Sequence, residues 1–257
     1  MIRNFIRVAP CAKPFGVVLR ATAWLILGVL VLSATGAPAA EGDLQMAFAF
    51  ISKRSDLSDD QLRERYEASH VPGALKVMVP MGFRHYVRNY VQRALGTEPD
   101  FEVISEFGFE AGSTGPDVCG KPIDPNWRRN RSVVVMARPI AGRLSIPGNE
   151  PIRKRALLLR QPQAVSAAEF EDGALDFATS VARTLGDGAH RVTLYLAVGT
   201  TREVHECIDA DAIVEAIVMI WPKPDIVLPD SLRTPSSVAL TSILDLEAVT
   251  SVIPRPE

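Results

Sequence analysis

The sequence predicts an α+β fold of two similar βαββ(α)β halves whose sheets pack against each other. Three observations carry that expectation. Each half opens on an apolar strand that runs into a loop, MAFAFISKRSDLS at 46–58 and RALLLRQPQAVS at 155–166. Each loop ends in a capping box, Ser58 with Gln61 and Ser166 with Glu169, in which the hydroxyl takes a first-turn amide. Each helix is followed by two segments of alternating apolar and polar residues, the period of a half-buried strand.

In chain order, residues 1–40 read as a targeting segment. Arg3, Arg7, Lys13 and Arg20 precede any acid, the apolar run Ala21–Ala34 follows, and Ala37-x-Ala39 offers a cleavage site. That is the pattern of a bacterial secretory signal, so a periplasmic or secreted protein is expected. An uncleaved inner-membrane anchor is the alternative, because Phe15–Leu19 extends the apolar stretch and only Arg20 interrupts it. The core alone is short against the ~20 apolar residues of a span. The N-terminal segment is thus the one expected point of membrane association.

The first unit spans 43–145. Its helix is expected from Leu57 to Pro72, with His70 in the last turn, since Pro72 disfavours helical backbone at Val71. Strands are expected at Phe83–Val91, Phe101–Glu110 and Ser132–Arg138. The Gly- and Pro-rich stretch 111–131 reads as a loop with at most a short helix. The second unit spans 146–257. Phe170, Ala174, Phe177, Val181 and Leu185 lie at helical spacing. Strands follow at His190–Val198, Ile213–Trp221 and Ala248–Ile253, with a Pro-rich stretch at 222–236. Order βαββ(α)β twice is that of two tandem ferredoxin-like units. Each leaves a sheet face to be buried, and the other sheet is its natural partner, giving a pseudo-dimeric α/β barrel in one chain. A monomer is expected.

Composition excludes more than it assigns. A net charge of −2 leaves no basic footprint for nucleic acid, while 47% hydrophobic residues suffice for a sizeable core. Cys119 and Cys207 remain after signal removal. Export permits a disulfide between them, but the strict geometry of a bridge favours two separate thiols. No Gly-rich phosphate loop, Gly-x-Ser-x-Gly elbow, His-Glu-x-x-His or Cys-x-x-Cys-His occurs, so nucleotide-dependent, serine-hydrolase, zincin and c-type haem readings fall away.

The polar candidates cluster in the first half. Tyr66 and His70 are four apart and share a helix face. A helix-end His is either an acid/base group favoured as the cation by the dipole, or a side chain that simply meets free carbonyls. On the second strand, His85, Val87 and Asn89 (with Phe83) face one way and Arg84, Tyr86, Arg88 and Tyr90 the other. On the third, Glu106 shares a face with Ile104 and Gly108, opposite Phe107 and Phe109. Glu106 would partner His70 or a substrate, or else pair with Arg84 or Arg88 across the ladder. Trp127–Arg131 is an anion clamp or a solvated loop. His205, Glu206, Cys207, Asp209 and Asp211 fit no zinc spacing and read as a hairpin loop.

These residues carry a resemblance. Lys53 and Arg54, Leu57-Ser58, Tyr66, His70, Tyr86 with Asn89, and Phe101, Glu106, Phe109 and Glu110 make residues 47–110 similar to the EthD domain of the dimeric α/β-barrel group. The departures are Leu62 for a usual Phe, Glu102-Val103 for Asp-Gly, and Gly108 for Trp. The resemblance implies a small, largely apolar organic ligand, no obligatory cofactor, and a cavity between sheet and helices. It implies His70, Tyr86 and Glu106 as catalytic residues, with Tyr66, Asn89 and Phe109 on the substrate. Isomerase, cyclase or lyase chemistry by an exported enzyme is then expected. The alternative is a periplasmic binding or accessory protein that turns nothing over, with a haem-binding variant through His70. Aligning Ser58 with Ser166 puts Ala178 opposite His70 and Ala174 opposite Tyr66, so a single site is expected, in the first half.

Overall fold

The computed structural model describes residues 44–110, 113, 124–142, 152–198, 201–203, 208–210, 214–227, 232–251 and 253. Residues 1–40, Cys119, Cys207 and the His205–Glu206 pair lie outside them. In order come β1 (Leu44–Lys53), α1 (Asp59–Arg65), α2 (Val71–Met78), β2 (Phe83–Gly96), β3 (Val103–Glu110) and β4 (Trp127–Gly142). Then follow β5 (Ile152–Arg160), α3 (Ala167–Leu185), β6 (Ala189–Ala197), β7 (Thr201–Glu203), β8 (Ile208–Ala210), β9 (Ala216–Pro222) and β10 (Ala239–Thr250).

Eight strands close into an antiparallel barrel of order β1-β3-β2-β10-β5-β9-β6-β4, with β4 pairing back onto β1 from Met46↔Val135 onward. The sheets of the two halves are therefore not stacked as separate layers. They join edge to edge along two seams, β2 with β10 and β4 with β6. The short hairpin of β7 and β8 extends from β4 at Arg131 and Ser132.

Period-2 alternation decides what fills the barrel. Phe48 and Phe50 from β1, Ile104 from β3, Tyr195 from β6, Met219 and Trp221 from β9 and Leu244 from β10 meet inside. The opposite faces of the same strands are covered by helices. Phe170, Ala174, Phe177 and Val181 of α3 lie on Leu157, Leu194 and Val218. Leu62 and Tyr66 lie on Ile51, Val103, Tyr86 and Tyr90. Both helices start at the expected capping boxes, with Ser58 Oγ accepting from Gln61 N and Ser166 Oγ from Glu169 N. Among the described residues no helix is long and apolar enough to cross a membrane.

Four expectations are corrected. The first helix does not stop at Pro72, so His70 is not in a last turn. Tyr66–His70 forms a π turn, with Val71 N–H donating to Tyr66 O, and α2 continues beyond it. Proline lacks an N–H and its ring crowds the carbonyl four residues back; the wider turn relieves both conflicts. Phe83 leaves the face of His85 and Val87, because a bulge between Phe83 and His85 shifts the register by one. Trp127–Arg131 is no loop but the first stretch of β4, with Trp127, Asn130 and Arg131 buried. The last strand begins at Ala239, well before Ala248.

Candidate functional site

The β2–β3 ladder separates two polar clusters. On its outer face, beneath the first helix, three hydroxyls form a chain. Tyr86 OH donates to Tyr66 OH at 3.1 Å, and Tyr66 OH lies 3.0 Å from Ser105 Oγ. Tyr66 and Tyr86 are fully buried. Burial pushes the Tyr66 phenol up to about 12, against smaller downward pulls from Ser105 and Tyr86. It raises Tyr86 as well. Both therefore act as neutral hydroxyls that orient a neighbour rather than as bases.

His70 sits at the open side of this chain. Its ring centroid is 4.7 Å from Tyr66 and 4.5 Å from Trp127. Its Nδ1 lies 3.4 Å from Asp124 Oδ2, and its side chain is 23% exposed, enough to meet a solute. Burial pushes the Asp124 carboxyl up, but His70 and the Asn126 amide outweigh it and hold the group below its ordinary value. A neighbouring set fixes the helix to the sheet. Glu67 takes two bonds from Arg88, at 3.0 and 2.6 Å, and one from Tyr90 OH at 2.6 Å.

The second cluster faces the barrel interior. Glu106 is 1% exposed. It accepts from Lys154 Nζ at 2.6 Å and from Asn89 Nδ2 at 2.8 Å, and lies 3.4 Å from His85 Nε2. Burial alone would raise its carboxyl. The Lys154 charge, with the bond and charge of His85, overrides that and holds it at about 2. Lys154 Nζ and the Arg191 guanidinium both lie over the Trp221 ring, at 4.8 and 4.9 Å. Gly108 makes room for His85, since a Cβ there would stand 2.7 Å from the His85 Cβ.

The predicted set is thus divided by the sheet. His70, Tyr66, Tyr86 and the half-buried Phe109 lie on the helix side; Glu106 and Asn89 lie inside the barrel. Glu106 pairs neither with His70 nor with Arg84 or Arg88. Arg84, the extra residue of the bulge, bonds Glu110, and Arg88 on the outer face bonds Glu67. Sequence reasoning missed Asp124, which stood in a stretch read as loop, and Lys154 and His85 as partners of Glu106. Lys154 was legible: it shares parity with Ala156 and Leu158, the inward residues of β5. Two open grooves on the described surface, of about 370 and 650 Å³, are lined by none of the predicted residues.

No family model matches the chain, and no curated protein matches it in sequence.

Proposed function

We propose that this protein acts on a small, largely apolar organic molecule by cofactor-free acid/base chemistry of the isomerase, cyclase or lyase type, with His70 as the proton carrier. The observation that carries the reading is Asp124 opposite Nδ1 of His70. A carboxylate there favours the tautomer with the proton on Nδ1 and turns Nε2 toward the substrate. Nε2 takes a proton from a carbon next to a carbonyl and returns it at another position, so no group enters or leaves in an isomerisation. Tyr66 and Tyr86, kept protonated by burial, hold the His70 side of the site in place.

The same proposal takes the chain as two tandem ferredoxin-like units, the first of the EthD kind. Supporting it, the barrel order divides into β4-β1-β3-β2 and β10-β5-β9-β6, one permutation used twice. The mature chain is proposed to be exported and to begin near Ala40 or Glu41, which N-terminal sequencing of the native protein checks. Full-length chain surviving a carbonate wash of membranes would show an anchor instead.

The test of the chemistry is solvent-deuterium exchange into a panel of enol lactones and β-diketones. His70→Gln is expected to slow exchange by about a hundred- to ten-thousand-fold while the melting temperature holds. Unchanged exchange in that variant overturns the role of His70. One observation favours a second reading, non-catalytic ligand binding. Glu106 and His70 are separated by the sheet, so the implied catalytic set does not assemble. An unmodified small molecule found by native mass spectrometry, with no exchange on any panel member, would decide for it.

A further inference from the structure

The outer face of β10 carries charge where the neighbouring strands carry the apolar residues that lie under helices. Asp245 and Glu247 form the floor of the 650 Å³ groove, with Arg93 of β2 on one side and Arg153 and Arg155 of β5 on the other. The carboxylates are already engaged. Arg155 donates from Nε to Asp245 Oδ1 at 2.7 Å, and Arg93 lies 3.7 Å from Oδ2. Arg63 grips Glu247 through both oxygens, at 2.9 and 2.7 Å. Arg153 stands opposite Glu247 in the ladder and has no carboxylate partner among the described residues.

Among the described residues, Arg63, Arg93 and Arg155 each contact one of the two carboxylates, and Arg153 stands beside them. Arg155 is 5% exposed, so its fork is fixed by packing as well as by Asp245. The rim is apolar on one side. Ile226 is 39% exposed and Val227 is 93% exposed, the largest value among the exposed hydrophobic residues, and both line the groove. The exposed Arg153 guanidinium beside an apolar rim suits a ligand with one negative head and one hydrocarbon end.

We propose that this groove is a binding site for a small amphipathic anion, a carboxylate with a short apolar chain. Arg153 takes the carboxylate, and the chain lies along Ile226 and Val227. The site is independent of His70, which lines no part of it.

Calorimetry on the whole mature chain with octanoate, octanol and inorganic phosphate tests it. Octanoate is expected to bind saturably and more weakly as salt rises. Arg153→Ala should weaken it by about three- to tenfold at an unchanged melting temperature, as suits one exposed charge pair. Val227→Ser should weaken octanoate as well. Octanol binding as tightly as octanoate overturns the role of charge. Phosphate binding without octanoate overturns the amphipathic class. No saturation by either anion, or unaltered octanoate binding in Arg153→Ala, removes the site.

Discussion

Glu106 is the residue whose burial has the clearest energetic consequence. Its carboxyl is held at about 2 in the folded chain against an ordinary 4.5. A depressed carboxyl contributes stability that is complete above its unfolded value and is lost as the pH falls through the folded one. Between about pH 4.5 and 2 the chain should lose about 3 kcal/mol through this group. Urea midpoints measured across that range check it; a flat profile would show that Glu106 is not the carboxylate the fold protects. Glu106→Gln should cost about 3–5 kcal/mol at pH 7, because it strands the Lys154 ammonium inside the barrel, whereas Glu106→Gln with Lys154→Met should recover part of that loss. Residue by residue, alternation made the faces of Tyr86, Asn89 and Glu106 legible. It failed at Phe83, where one bulged residue inverts the parity and leaves no local trace. The pairing of Glu106 with Lys154 joins residues 48 apart and no local pattern contains it.

At the scale of elements, starts were easier to read than ends. Both capping boxes are present as the two Ser-x-x-Gln/Glu patterns require, since a cap is a local exchange of hydrogen bonds within four residues. Ser58→Ala and Ser166→Ala should each cost about 1 kcal/mol, or about 2–4 °C in melting temperature. Thermal unfolding of the two variants measures it, and losses within error would mean that packing alone sets the helix starts. The end of the first helix was misread because the proline rule assumes a ladder of four-residue steps. A five-residue step lets the chain pass Pro72 with its helical direction kept. That step carries His70 to the middle of a helical run rather than to its end. The carboxylate beside it there is Asp124, from a stretch whose composition says only that it is not a regular element.

For the molecule as a whole, a barrel within one chain was legible, and the strand pairs at which it closes were not. Seam partners such as Tyr90 and Glu247 are set by register across more than a hundred residues. Because both seams are satisfied within one chain, light scattering at micromolar concentration should give the mass of a monomer. A dimer that dissociates on dilution would mean that sheet edges are shared between copies. The seams also set an order of events during synthesis. β2 is complete at residue 96, but the strand that covers its free edge begins at residue 239. At ribosomal speed that gap lasts roughly ten to thirty seconds. Throughout it a nascent chain offers an unpaired row of peptide groups to any passing strand, so the opportunity for misassembly is largest before the last seam strand arrives. A chaperone that shields the emerging first half should raise the yield of this protein more than one that acts on the finished chain.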